Sequence, residues 1–141
     1  MRSRDTIHSM EQAVFQQSVL IVEDDQLLSG LLAVKMSKKF NTLAAGTGEA
    51  ALEILKSNTP DIILLDILLP GIDGFELLRR VKTDPKTAAI PVVILSNLGE
   101  DADKAKGKEL GAEEFVVKVT LLPDEVVSLV ESVCARHRAV K

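Results

Sequence analysis

Short apolar runs alternate with longer segments in which apolar residues recur at helical spacing, five times over between Gln17 and His137. Runs such as Val19-Leu-Ile-Val22, Ile62-Ile-Leu-Leu65, Val92-Val-Ile-Leu95 and Phe115-Val-Val117 predict strands near 18–22, 41–45, 61–65, 91–95 and 113–117. The periodic segments between and after them predict helices near 26–39, 48–57, 73–83, 100–110 and 123–137. Punctuation supports these limits: Gly46 and Gly48 precede the second helix, Asp84-Pro85 follows the third, Gly111 follows the fourth and Pro123 opens the fifth. Strands that read as unbroken Val/Ile/Leu are buried on both faces, and parallel strands need crossover helices. The pattern therefore predicts an α/β chain with a doubly wound, five-stranded parallel sheet. Right-handed crossovers leave few topologies for it.

The polar residues that end these runs carry the chemistry. The first run ends in Glu23-Asp24-Asp25, the third in Asp66, the fourth in Ser96-Asn97 and the fifth in Lys118. An acid such as Asp66 inside Asp61-Ile-Ile-Leu-Leu-Asp66-Ile-Leu-Leu-Pro70-Gly71 is costly to bury unless a cation meets it. Ligands of open parallel sheets bind outside the carboxyl ends of the strands, so these endings converge on one expected metal and phosphate site.

Composition narrows the class. The chain has 141 residues, 46% of them hydrophobic, enough to bury the core of one domain and little more. We expect a domain over 17–137, an N-terminal tail over 1–16 that is flexible or forms a short extra helix through Ile7, Met10 and Val14, and a C-terminal tail over 138–141. A net charge of −4 provides no basic footprint, so direct nucleic-acid binding and a membrane-surface role are not expected. A single cysteine, Cys134, rules out an intramolecular disulfide framework, and no secretory core or spanning segment is legible, which points to the cytoplasm. Cys134 lies among Val126, Val127, Val130 and Val133 and is read as packing; His8 and His137 belong to no metal or nucleophile pattern.

Glu23-Asp24, Asp66 followed by Pro70-Gly71-X-X-Gly74, then Ser96, Phe115 and Lys118, in that order over about residues 17–137, resemble the receiver domain of bacterial two-component response regulators. The resemblance implies the flavodoxin-like strand order 2-1-3-4-5. It implies that Asp66 accepts a phosphoryl group from a histidine kinase or histidine phosphotransfer protein. It also implies Mg2+ held by Asp24, Asp66 and the backbone carbonyl of Leu68, with Glu23 acting through a water. Lys118, the Ser96 hydroxyl and the Asn97 backbone N–H would contact the phosphoryl oxygens, and Ser96 with Phe115 would form the switch. Carboxylates suit a hard, oxygen-seeking cation, and a carboxylate attacking an anionic phosphoryl group needs that neutralisation.

Each residue also has a plainer reading. Asp25, or Asp24 with it, caps the first helix; Ser96 caps the next helix; Phe115 is core; Lys118 is an exposed strand-end lysine. The fourth helix draws its apolar content mainly from Ala102, Ala105 and Leu110 around Gly107, so it should be loosely held and ready to move. Helix 4, strand 5 and the valine-rich helix 5 are the candidate face for a downstream partner or a homodimer. Two positions depart from the family pattern: Val119 stands where proline is usual, so the Lys118–Val119 peptide is expected trans, and Asn97 stands where a small residue is usual. The expectation is a phosphorylatable, stand-alone receiver, with no output domain because the chain ends directly after the fifth helix, and one that acts on no separate substrate. The rival is a receiver-shaped interaction module that works without phosphorylation. An aspartyl phosphatase would need a second acid two residues after Asp66, where Leu68 stands, and the lack of Trp and Tyr disfavours a flavin protein.

Overall fold

The computed structural model describes residues 16–140, so the expected N-terminal segment, apart from Gln16, lies outside the described residues. Five strands alternate with five helices: β1 Ser18–Val22, α1 Gln26–Met36, β2 Asn41–Ala45, α2 Gly48–Leu55, β3 Ile62–Leu65, α3 Gly74–Thr83, β4 Val92–Ser96, α4 Asp101–Glu109, β5 Glu114–Val117 and α5 Pro123–Val140. A short 3-10 turn, Lys118–Thr120, links β5 to α5. The sheet is wholly parallel in the order β2-β1-β3-β4-β5, as expected.

Side-chain alternation explains why the central strands must be apolar throughout. Val19, Ile21, Ile62, Leu64, Val93 and Leu95 face one side, where Leu32 and Met36 of α1 and Val126, Val130 and Val133 of α5 cover them. Leu20, Val22, Ile63, Leu65, Val92 and Ile94 face the other, against Ala51 and Leu55 of α2 and Phe75, Leu78 and Val81 of α3. Each fully buried aliphatic chain of this kind contributes roughly 1.5–3 kcal/mol. The central position of β3, buried along its whole length, is what carries Asp66 to the inside edge of the sheet.

Several boundaries differ from the sequence reading, each for a local reason. The first helix stops at Met36 rather than 39: the Ser37 hydroxyl donates to the Ala33 carbonyl at 2.6 Å, and the Lys39 and Phe40 N–H groups both turn back onto Met36 O. The second stops at Leu55, and the third starts at Gly74 because Asp73 caps the Glu76 N–H at 2.9 Å. The last helix runs through Val140 instead of ending at 137. No Gly or Pro interrupts it, so residues 138–140 of the expected C-terminal tail are helical, and residue 141 lies outside the described residues. Ala102 and Ala105 of α4 are exposed, and Gly107 is the buried residue of that helix, so α4 is held by even less apolar surface than its sequence suggests.

Among the described residues no peptide bond is cis, so Lys118–Val119 is trans as expected. No helix among them is long and apolar enough to cross a membrane.

Candidate functional site

Register aligns the strand ends. Val22 pairs with Leu65, Leu65 with Ile94, and Ser96 with Val117. The residues that follow or end these pairs, Glu23, Asp66, Ser96 and Lys118, therefore gather along one edge of the sheet.

Lys118 is the centre of the cluster. Its ammonium donates to Asp66 Oδ2 at 2.7 Å and contacts Glu23 Oε1 even more closely. Glu23 and Asp66 are each 4% exposed, so this is a buried ion network and not a surface pair. The other Asp66 oxygen, Oδ1, accepts from the Leu68 N–H at 3.1 Å, and Glu23 Oε2 accepts from the Asp25 N–H at 3.2 Å. Backbone donors thus fix both carboxylates in orientation while the lysine joins them.

The electrostatics follow from one cation set among several acids. Burial pushes the Glu23 carboxyl up to about 7, with the Asp66 charge adding to the rise and Lys118 and the Asp25 N–H opposing it. Burial also works against the Lys118 ammonium, but its bonds to Asp66 and Glu23 outweigh that and hold its pKa above the ordinary lysine range.

Asp24 completes the acidic set. Carboxylate oxygens of Glu23, Asp24 and Asp66 all lie within 4.8 Å of one another, with Asp24 exposed at the mouth. Three hard oxygen donors with an open, solvent-facing side fit a divalent cation of the Mg2+ type, which keeps waters and takes few protein ligands. Asp25 stands apart from this group: its Oδ1 accepts from the Leu27 and Leu28 N–H groups and caps α1, as the plainer reading held.

The remaining predicted residues occupy the rim. Ser96 is fully buried at the end of β4, and its hydroxyl accepts from the Leu98 N–H at 3.4 Å. Asn97 is exposed just beyond it, and Leu68 is 53% exposed. Phe115 is half-buried beneath α4, where a Cβ on Gly107 would come within 3.0 Å of its ring. The resemblance implies a metal-bound water for Glu23; the structure also makes it a direct partner of Lys118.

Two features escaped sequence reading. Gly74 packs so tightly behind the acceptor that a Cβ there would lie 2.4 Å from the Asp66 carbonyl oxygen, and Glu49 of α2 accepts from the Ile72 N–H at 3.0 Å. The Gly71-X-X-Gly74 spacing signals the first; nothing local in the sequence signals the second.

Comparison with known proteins gives the same answer. The response regulator receiver domain family matches residues 19–131. The chain is 38% identical over 102 residues to the transcriptional regulatory protein AfsQ1 of Streptomyces coelicolor, covering 72% of this chain and 44% of that protein, so it spans under half of that relative's length. The receiver domain of the Francisella response regulator 1452 superposes with a TM-score of 0.77 at 27% identity, covering 85% of this chain and 98% of that one. The Mn(2+)-bound form of response regulator Rcp1 does so with a TM-score of 0.74 at 30% identity, covering 82% and 92%. With the ordered strand-end residues, the strand order and these matches in agreement, this chain belongs to the response regulator receiver domain family.

Proposed function

We propose that the chain is a phosphorylation-dependent signalling receiver in which Asp66 is the phosphoacceptor and a histidine kinase or histidine phosphotransfer protein is the donor. The observation that carries this reading is the Lys118–Asp66 contact at 2.7 Å, inside a pocket that also holds Glu23 and Asp24. In the transfer, an Asp66 carboxylate oxygen forms a bond to phosphorus as the bond from phosphorus to the donor's imidazole nitrogen breaks, and the electron pair leaves with that nitrogen. Lys118 lies close enough to the acceptor to neutralise charge on the phosphoryl oxygens. Asp24 and Asp66, with the Leu68 carbonyl and with Glu23 through a water, would hold Mg2+, which would supply further neutralisation when bound. The chain acts as an acceptor that later loses its own phosphoryl group to water, and not as an enzyme on a separate substrate.

The rim supports a protein as donor. Leu68, Val119 and Leu122 are 53%, 82% and 68% exposed, and Leu27 is 88% exposed, each within four residues of a site residue. Apolar side chains grouped around a reactive mouth favour contact with another protein surface. The output face is the α4–β5–α5 surface, where phosphorylation shifts Ser96 and Phe115. The thin apolar attachment of α4 supports that choice, and a downstream partner or a second copy would read the change in the cytoplasm.

Intact mass is the direct test. With Mg2+ and a small phosphodonor the chain gains one phosphoryl group, labile as an acyl phosphate, and chelation or Asp66→Asn prevents it. An unchanged mass across several donors would overturn this reading in favour of an interaction module that works without phosphorylation.

A further inference from the structure

Eight residues, 66–73, leave the acceptor and lead into α3, and Leu68 lies within them. Their two ends are pinned by their own chain: the Leu68 N–H donates to Asp66 Oδ1 at 3.1 Å, and the Gly74 N–H donates to Ile67 O at 2.9 Å. The apex is pinned from outside. Glu49, in the first turn of α2, accepts from the Ile72 N–H at 3.0 Å through Oε1. Its carboxylate lies directly over Gly71, where a Cβ would come within 2.6 Å of Oε1 and 3.0 Å of Oε2. Gly71 has φ +72°, a conformation that glycine adopts freely, so both its backbone and its missing side chain admit this contact. Gly48 adds to the fit, because a Cβ on it would sit 3.1 Å from Ile72 O and 3.2 Å from Ile72 Cβ.

A first-turn glutamate often serves its own helix by meeting the positive end of the dipole. Here the helix is already capped, since Thr47 Oγ1 accepts from the Ala50 N–H at 3.0 Å. Glu49 reaches instead to a segment 23 residues away, and that N–H holds its carboxyl below the usual glutamate range, as expected of an ionised acceptor in this contact.

We propose that Glu49 is a positioning residue for the phosphoacceptor site: by clasping Gly71 and Ile72 it fixes the loop that carries Asp66 and Leu68, and so tunes the affinity of the acidic site for a divalent cation. This rests on the metal-dependent receiver reading above. A loop tethered at both ends and at its apex has fewer arrangements to lose when a cation draws its oxygens together, and such preorganisation appears as affinity.

Three measurements on wild type, Glu49→Ala and Glu49→Gln test it: Mg2+ affinity by calorimetry, hydrogen exchange of the Ile72 amide without metal, and the thermal melt. Glu49→Ala should exchange the Ile72 amide faster and bind Mg2+ about three- to tenfold more weakly, the size of one hydrogen bond. Glu49→Gln, whose carbonyl oxygen can accept the same bond, should stay near wild type in both. An alanine variant with wild-type Mg2+ affinity would overturn the inference even if its melt fell, since the contact would then be structural only. A glutamine variant as weak as alanine would overturn it too. If wild type itself binds no Mg2+, the metal-dependent function fails and this inference falls with it, whereas normal wild-type binding with an unaffected alanine variant removes the inference alone.

Discussion

The Lys118 ammonium donates to Asp66 Oδ2 at 2.7 Å from two strands away, with β4 lying between β5 and β3. This span explains why the lysine is 16% exposed although it follows an edge strand, and why it reaches Glu23, just after β1, as well. The site is a cross-sheet device: no single strand holds it, and the ends of β1, β3, β4 and β5 supply its charges and its hydroxyl.

Removing the cation should therefore be expensive. Lys118→Met leaves Glu23 and Asp66, each 4% exposed, close together with no cation between them. Breaking a buried network from one side costs about 3 kcal/mol, even with some relief from proton uptake by Glu23. Urea unfolding in chelator at pH 8 should show that loss, and Mg2+ should restore part of it by linkage. Wild-type stability in this variant would mean that the three groups are not electrostatically joined.

Removing an acid should act in the opposite direction. Three carboxylates cluster while Lys118 pairs with only Glu23 and Asp66, and Asp66→Asn leaves Glu23 to hold Lys118 while deleting one repulsive charge. In chelator the variant should be more stable than wild type by about 1 kcal/mol, and Mg2+ should stabilise it less than it stabilises wild type. Calorimetry or circular dichroism reads this in a chain without Trp or Tyr. A variant that melts below wild type in chelator would contradict the clustering of charge.

The sequence carried the fold because every central strand is apolar at consecutive positions, and that signal leads to a two-sided parallel sheet without any site residue. It carried the acceptor and its lysine because a buried acid and a strand-end cation each call for a partner. Helix ends were less legible. Ser37 stops α1 with a side-chain bond that its residue type permits anywhere, and α5 runs on past His137 because nothing in the chain opposes it. The contact of Glu49 has no local signal, and the spacing that marks Gly74 does not say what it packs against: each contact depends on backbone lying close in space, to Ile72 in one case and to Asp66 and Ile67 in the other. A glycine in sequence says that space is short but not what fills it. Gly107 illustrates this, since it reads as a weak point in α4 yet is where that helix closes on Ile94 and Phe115.

Cys134 offers a pH test far from the site. The residue is 2% exposed, and burial pushes its thiol up to about 11, with the Asp61 charge adding to the rise and Arg138 opposing it. Its folded pKa thus lies above the ordinary cysteine value near 8.5–9. Its contribution to stability is fully present below that value and is lost as pH rises toward 11, because the unfolded chain gives up the proton first. Wild type should lose roughly 2–3 kcal/mol over that window through this group, and Cys134→Ala should lack that part of the decline. The native thiol should also react with a disulfide reagent at pH 8 far more slowly than the unfolded chain. Rapid labelling of the native protein would contradict the burial.

Gly74 tests how closely the acceptor is built into the fold. A Cβ at this position would lie 2.4 Å from the Asp66 carbonyl oxygen and 2.5 Å from Ile67 Cα. Both are backbone atoms, so no side-chain rotation relieves the overlap; either α3 or the strand end carrying Asp66 must move. Alanine gains about 1 kcal/mol of helix propensity over glycine, yet overpacking that shifts backbone costs about 1–3 kcal/mol, and here the second effect wins. Gly74→Ala should therefore be less stable than wild type by roughly 1–2 kcal/mol. It should also accept phosphoryl from a small donor at least about tenfold more slowly, because a shift near 1 Å at a reacting carboxylate is costly to rate. Gly30 is the control: a Cβ there meets nothing within 4 Å, so Gly30→Ala in α1 should stabilise the chain by up to about 1 kcal/mol and leave the acceptor's rate unchanged. If the two alanine variants behaved alike in both stability and phosphorylation rate, the close packing of Gly74 behind Asp66 would not govern the position of the acceptor.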